Sequence, residues 1–439
     1  MSRCPFDFSL PPPISNALDR LIDAGQEAYI VGGVLRDALL GRPVPDWDIT
    51  TSAPSGLIHE LFKDTKNYCL KHGTVTLVLP ETRVEITPYR AQARSLEADL
   101  AKRDFTVNAM AWDPVRQTLI DPWEGGVDLD RHIIRATGDP DSRFREDPIR
   151  LLRGIRLATE LGFEIHPRTL AAMEADALLI NHAATERVRE ELKKMLMSSH
   201  PSNGFRVMYN CGILAEVLPE LCEGKGVEQD RSHHRYTVFD HTMETVDRIS
   251  PVLHLRLAAL FHDIAKPRVR HFERGKWRFL GHAQESADLA KRIMARLRFS
   301  RTLMEKVSHL IDNHMIGYSE EWGDGAVRRL IRRTGTETIG DLIILCKADL
   351  LAHGMDNGPI ELLEDLERRL ASILRKQQAV SLRDLALNGH DVMEILHLEP
   401  GPRVGKILDD LLETVTDDPR LNNPGDLMSL LKKGTPSGQ

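Results

Sequence analysis

The sequence predicts an α+β protein in which a mixed β-sheet head is followed by an all-helical neck, body and tail. Three observations carry this. Short β-type runs are confined to residues 1 to about 135, and helical periodicity takes over beyond them. At 439 residues, with 41% apolar and 28% charged, the chain is long enough for several domains and apolar enough for a large core. Aromatics are only 5%, and this composition describes a helix-rich globular protein and not a disordered one.

In the head, Tyr29 to Val31, Asp46 to Thr51, Thr74 to Leu79 and Arg83 to Thr87 read as strands. Residues 136–200 form a neck with an arginine-rich face and then a Glu/Arg/Lys-rich one. Residues 201–375 form a body that reads as helical throughout, with histidines gathered between 233 and 314. Residues 376–439 form a small helical tail whose polar end, Lys433 to Gln439, is expected to fray. There is no internal repeat.

No apolar run approaches the roughly 20 residues a membrane helix needs. Met1 to Pro13 lacks a basic region followed by an apolar one, so no secretion signal is expected. The five cysteines lie far apart and form no C-x-x-C pair, which points to a reducing cytoplasm. A net charge of −7 argues against indiscriminate nucleic-acid binding. It leaves room for a local basic face, and Arg143 to Arg156 supplies one with five arginines.

Val31-Gly32-Gly33-Val34-Leu35-Arg36-Asp37 follows a strand and opens a helix. Gly32 and Gly33 let backbone approach a ligand, the helix N-terminus favours a phosphate, and Arg36 adds a charge-assisted donor. The same run also reads as an ordinary strand-to-helix turn. In Asp46-Trp47-Asp48 the two acids, two apart on a strand, share one face. Adjacent carboxylates repel unless a cation lies between them, and Mg²⁺ prefers such oxygen ligands. The alternative is a polar strand end. Glu85, between apolar Val84 and Ile86, adds a third acid, and three acids on neighbouring strands can hold two metals for in-line attack on a phosphate.

These motifs run in order with Lys102-Arg103-Asp104-Phe105-Thr106-Val107-Asn108-Ala109-Met110-Ala111, Asp121-Pro122-Trp123-Glu124-Gly125-Gly126 and Phe144-Arg145-Glu146-Asp147-Pro148-Ile149-Arg150-Leu151-Leu152-Arg153. Together they resemble the class II tRNA nucleotidyltransferase and bacterial poly(A) polymerase family over about 130 residues. The likeness continues weakly to Pro400-Gly401-Pro402-Arg403. The resemblance implies a nucleotidyltransferase-type head and template-independent addition to the 3′ end of tRNA from CTP, and ATP where A is added. It also implies a tail that contacts tRNA, and Asp104 and Asn108 near the ribose.

Asp147 and Arg150, three apart, are expected to neighbour each other on one helix face, one accepting and one donating. Cytosine and adenine both present an amino donor beside a ring-nitrogen acceptor, whereas uracil and guanine reverse that order. The pair therefore suits selection of C and A, which is the role the resemblance gives these positions. An N-cap aspartate followed by an exposed arginine is the other reading. Arg153 and Arg156 continue the face, and with Arg103 they are expected to bind triphosphate.

The chain departs from the family pattern between Glu85 and Lys102, where relatives that build all of C-C-A carry a longer loop. In the resembling family a shortened connection here marks enzymes that add only the two cytidines. That implies a separate A-adding enzyme in the same cell. A neutral deletion is the other reading.

In the body, His241, His262-Asp263 and Asp349 match the HD metal-dependent phosphohydrolase signature, and His282 and His314 extend it to two metals. Two imidazoles and two carboxylates suit a six-coordinate Mg, Mn, Ni, Co or Fe site. Cyclic phosphodiesters or phosphomonoesters are the natural substrates of such a site. Two other readings of the whole chain are a poly(A) polymerase and a hydrolase centred on the HD region. Leu70 to Thr76 in place of a basic run weighs against the first, and intact Asp46, Asp48, Glu85 and Arg103 weigh against the second.

Overall fold

The computed structural model describes residues 10–44, 46–69, 73–79, 82–90, 95–230, 235–354, 360–375 and 381–434. Stretches singled out above that lie partly outside these are Met1 to Pro13 at 1–9, the run Leu70 to Thr76 at 70–72, the short connection at 91–94, the first body histidines at 233–234, and the polar end at 435–439. The chain divides into two compact units, residues 1–219 and 220–439.

The first unit opens on a seven-stranded mixed sheet: β1 (Ala28–Val31), β2 (Asp46–Thr51), β3 (Asn67–Cys69), β4 (Val75–Val78), β5 (Arg83–Pro88), β6 (Ala111–Asp113) and β7 (Thr118–Ile120). The spatial order is β3-β4-β5-β2-β1-β6-β7. Only the central β2–β5 pair is parallel; the other neighbours are antiparallel. Trp47, Ile49, Val84 and Ile86 are buried on one face of that pair, which leaves Asp46, Asp48 and Glu85 on the other. All four expected strands form. The three unexpected ones have three residues each, too few to show a period of two.

The neck helices are Pro140–Glu146, Ile149–Leu161, Pro167–Ala175 and Thr185–Leu196. Helix Ile149–Leu161 lies against Phe105 of the head because Gly154 has no side chain: a Cβ there would sit 2.7 Å from the Phe105 ring and 2.5 Å from Met173 Cε. Helices Pro201–Asn210 and Ile213–Val217, expected in the body, complete the first unit instead, since Pro201–Asn210 packs on Ile149–Leu161.

In the second unit, helices Val238–Arg248, Leu253–Phe261, His282–Arg296, Arg301–Asn313 and Ile339–Leu351 surround a core that includes Leu257, Ala258, Leu310 and Leu345. This region is not helical throughout, as the sequence had suggested. Strands His271–Glu273 and Lys276–Arg278 form a hairpin, turned by Arg274 (φ 50°) and Gly275 (φ 81°). Helices Gly389–Leu396, Pro402–Asp417 and Pro424–Gly434 share a small apolar core around Val392, Leu412, Val415 and Leu427. Among the described residues no helix is long and apolar enough to cross a membrane.

Candidate active site in the head and metal centre in the body

The parallel register of β2 and β5 sets Asp48 directly opposite Glu85, with Asp46 one step along the same face. Asp46 and Glu85 are exposed and Asp48 is half-buried. Burial raises the Asp48 carboxyl, and Asp46 adds to the rise against the pull of Arg103, Arg90 and Arg153. Burial also raises Glu85, with Asp48 and Asp46 contributing. This surplus of negative charge among oxygen donors fits a hard divalent cation.

Gly32 closes the other side. Its φ of 81° is a glycine conformation, and a Cβ would sit 3.0 Å from Asp48 Oδ2 and 3.1 Å from Arg103 Nη1. Gly33 begins helix Gly33–Leu39, where Arg36 donates to both oxygens of Asp37 and to Asn108 Oδ1 (2.8 Å). Asn108 Nδ2 in turn donates to Asp104 Oδ1 (3.2 Å), and Arg153 Nε lies 2.7 Å from Asp104 Oδ2. Burial alone would raise Asp104, but Arg153, Asn108 and the Phe105 N–H pull it down to about 2. Arg36, Asn108, Asp104 and Arg153 thus form one continuous network.

Arg103 is buried, and its Nε has no hydrogen-bond partner. Its nearest acceptors, Asn108 O and Asp99 Oδ2, are both at 3.5 Å. Burial lowers it to about 10. A weakly satisfied guanidinium beside Asp48 is poised for an anion. Sequence reasoning missed Asp99. It is fully buried, its Oδ1 accepts from Arg90 N (2.8 Å), and its Oδ2 faces Thr50 and Arg103.

Two expectations change. Asp147 and Arg150 do not share a helix face: Asp147 (φ −151°, ψ 96°) stands in the break between helices Pro140–Glu146 and Ile149–Leu161. Pro148 begins the second helix and forces the break, because the residue before a proline is pushed out of the helical region. Arg150 donates to Glu146 Oε2 (3.1 Å), Arg143 O (3.2 Å) and Lys102 O (2.9 Å). Arg156 does not join the triphosphate stripe. It is buried and neutralised by Glu160 and Glu191, both at 2.5 Å.

The body brings its ligands together more tightly. Among the described residues, groups of three potential ligand atoms within 4.8 Å of one another occur only here: His241, His262 and Asp263; His241, Asp349 and His353; Asp263, His282 and His314. The head carboxylates are not drawn together to that degree. Each of the four central imidazoles has Nδ1 against a backbone carbonyl: Ala352 for His241, Ala259 for His262, Phe279 for His282 and Ile311 for His314, at 2.7–3.2 Å. Donation from Nδ1–H turns the Nε2 lone pairs inward, as metal ligation requires. Nε2 atoms then face each other, at 3.3 Å for His241–His262 and 3.4 Å for His282–His314.

Asp263 stands between the two sets. Its Oδ2 is 3.2 Å from His262 Nε2, and its Oδ1 is 3.4 Å from His282 Nε2. Both oxygens are buried without a well-formed hydrogen bond, although Lys266 Nζ lies 2.6 Å from Oδ2. Asp349 Oδ1 is 2.8 Å from His241 Nε2. Burial lowers His314 to about 4, whereas Asp263 and Asp349 outweigh burial at His262 and raise it to about 10. This donor set fits one or two divalent cations. His353, four residues after Asp349, was missed by the sequence reading. A cavity of about 560 Å³ opens over the cluster, lined by Lys266, Trp277, Arg278, Met315 and Tyr318 among others.

Comparison with known proteins gives the same order of parts. Residues 28–135 match the poly A polymerase head domain, 162–224 the probable RNA and SrmB-binding site of polymerase A, and 231–354 the HD domain. A CC-adding tRNA nucleotidyltransferase of Thermus thermophilus is 34% identical over 414 residues, 88% of this chain and 89% of its own. An A-adding tRNA nucleotidyltransferase of Deinococcus radiodurans is 32% identical over 406 residues, 88% and 91% of the two chains. The crystal structure of the Bacillus stearothermophilus CCA-adding enzyme in complex with CTP superposes with a TM-score of 0.75 at 28% identity, covering 97% of this chain and 98% of that one. Fold and matches define an enzyme of the nucleotidyltransferase class that also carries an HD domain. The chain belongs to the tRNA nucleotidyltransferase/poly(A) polymerase family.

Proposed function

We propose that this protein adds two cytidines, without a template, to the 3′ end of tRNA, using CTP. The observation that carries the reading is the register that puts Asp46, Asp48 and Glu85 on one face, beside the Gly32 turn and the weakly satisfied Arg103. The RNA 3′ hydroxyl attacks the α-phosphorus, the bond to the β-phosphate oxygen breaks, and pyrophosphate leaves. Two Mg²⁺ ions held by Asp46 and Asp48, with Glu85 as the third acid, supply charge neutralisation for the hydroxyl and the triphosphate when bound. Arg103 binds triphosphate and Gly32 leaves room for it. Asp104 and Asn108, fixed by Arg153 and Arg36, position the ribose. Asp147 and Arg150 read the base edge.

Two features support C-C over full C-C-A: the connection between Glu85 and Lys102 is short, and a relative at 34% identity is CC-adding. Relatives with all three specificities resemble this chain to similar degrees, so product length decides. A tRNA transcript ending at the discriminator base is incubated with CTP, ATP, or both. The expected product is two nucleotides longer with CTP and no longer when ATP is added; a third nucleotide in the mixture overturns the CC-only reading.

The body is proposed as a phosphohydrolase centre on His241, His262, Asp263, Asp349, His282 and His314, taking phosphomonoesters or cyclic phosphodiesters. The four free cysteines among the described residues suit a cytoplasmic location.

A further inference from the structure

Asp99 is a fully buried carboxylate to which the reaction described above gives no part. It stands on the short helix Leu96–Leu100, and the turn that ends this helix brings Arg103, four residues on, back beside it. We propose that Asp99 is the positioning residue for Arg103. Before CTP arrives it holds the guanidinium off Asp48, so that the carboxylate stays open to metal and the guanidinium to triphosphate. This rests on the reading of Asp48 as a metal ligand and of Arg103 as a triphosphate-binding residue.

A buried carboxylate is costly unless its oxygens are satisfied. Asp99 is held from two sides. Its Oδ1 accepts from the Arg90 N–H (2.8 Å), and its Oδ2 lies 3.4 Å from the Thr50 hydroxyl. Thr50 follows Asp48 by two residues on β2, so the acid is moored to the same strand face that carries the metal-binding carboxylates. The remaining neighbour of Oδ2 is Arg103 Nη2, at 3.5 Å. Asp99 thus has a fixed place, and Arg103 is drawn toward it.

Arg103 has other carboxylates to choose from. Burial and Arg90 lower its pKa, and Asp99, Asp48 and Asp104 raise it, in that order. Asp104 is already taken by Arg153 and Asn108. Asp48 is the alternative partner, and Gly32 leaves nothing between the two. A Cβ at Gly32 would sit 3.0 Å from Asp48 Oδ2 and 3.1 Å from Arg103 Nη1. A guanidinium fork matches a carboxylate well, so an Arg103 released from Asp99 would close on Asp48. Metal and triphosphate would then have to break that pair before either could bind. In the structure the ion pair of Arg103 is with Asp99.

The test uses the full-length protein and the variants Asp99→Asn, Arg103→Ala and the two combined. Asparagine keeps a carbonyl oxygen for the Arg90 N–H and removes the charge. Asp99→Ser, neutral and smaller, is read in the same way where the asparagine variant melts early. Two quantities are measured: Kd for CTP by calorimetry, without tRNA or added divalent metal, and the Mg²⁺ concentration that gives half-maximal addition to a tRNA transcript. Asp99→Asn should weaken CTP binding about tenfold and raise the Mg²⁺ midpoint about fivefold or more. At saturating Mg²⁺ and CTP, kcat should stay within about threefold of normal, since the competing pair is then broken. In the Arg103→Ala background the same substitution should move neither quantity, because the competing guanidinium is gone. A role in packing alone would lower kcat without moving the Mg²⁺ midpoint, and would persist without Arg103; either result overturns the proposal. CTP binding left intact by Arg103→Ala would instead remove the triphosphate assignment, and the role of Asp99 with it. Weak CTP binding in Arg103→Ala, with both quantities normal in Asp99→Asn, rejects Asp99 alone.

Discussion

The head and the body both gather acids around a place for divalent metal, by opposite means. In the head, three carboxylates come from two neighbouring parallel strands, two of them exposed, and they repel one another across an open face. In the body, imidazoles and carboxylates arrive from several helices, and the four central imidazoles are buried and each turned inward by a backbone carbonyl. The first arrangement suits a cation shared with an incoming triphosphate. The second suits a cation the protein retains. The difference teaches that a strand register is enough to build an open, exchangeable site, whereas a closed one needs long-range packing.

The comparison can be broken at its largest effect first. Asp46→Ala or Asp48→Ala should lower nucleotide addition by on the order of 1000-fold or more, with circular dichroism unchanged. Near-normal addition by either variant would show that the open site is not the catalytic one. Changing His262 and Asp263 together to Ala should strip metal from the body, seen as a fall in tightly bound metal per chain. Addition should stay within about twofold, since the two sets of ligands share no residue. A folded double variant that no longer adds nucleotides would end the idea of independent sites.

Smaller effects sharpen the picture. Asp104 sits near 2 in the folded protein, below its unfolded value, so its stabilisation is present above about pH 4 and is lost as pH falls through 2. Asp104→Asn should therefore destabilise the first unit by roughly 2 kcal/mol at pH 7 and by much less near pH 2. Denaturant melts at the two pH values give the comparison; equal losses at both would place the effect in packing. Asp48 carries the opposite sign. Its carboxyl is raised, so its ionised form costs stability at neutral pH, and the cost disappears as pH falls. In metal-free buffer Asp48→Asn should raise Tm slightly at pH 7.5 and leave it unchanged near pH 3. A lower Tm at pH 7.5 would mean that Asp48 is better paired than its surroundings suggest.

Much of this was legible because the head motifs are local. Asp46 and Asp48 are two apart, and a strand period of two settles their face once the strand is recognised. The gathering of His241, His262, Asp263 and Asp349 in the body was also legible, as an ordered signature. What escaped depends on partners distant in sequence. Arg156 fits the arginine stripe by spacing, yet its second partner, Glu191, lies 35 residues on. Arg187 sits in a run of glutamates and arginines that looks like any solvated helix face, and only the fold brings it to Asp147. Asp99 reads as one more helix acid until Arg90 N and Arg103 converge on it. The body hairpin escaped because each of its strands has three residues.

Asp99 has a consequence for how such enzymes diversify. The strand ends at Pro88; two residues on, the Arg90 N–H is bound to Asp99 Oδ1, and Ser95 caps the helix carrying Asp99. The buried Asp99 carboxylate therefore ties the margin at Arg90 to the helix that Ser95 caps, beside Arg103. Residues can be gained or lost between those margins at little entropic cost, because loop closure grows only slowly with length. The strands bearing the acids need not register the change. A lineage can thus vary the length of this one segment while the acids on the neighbouring strands keep their register.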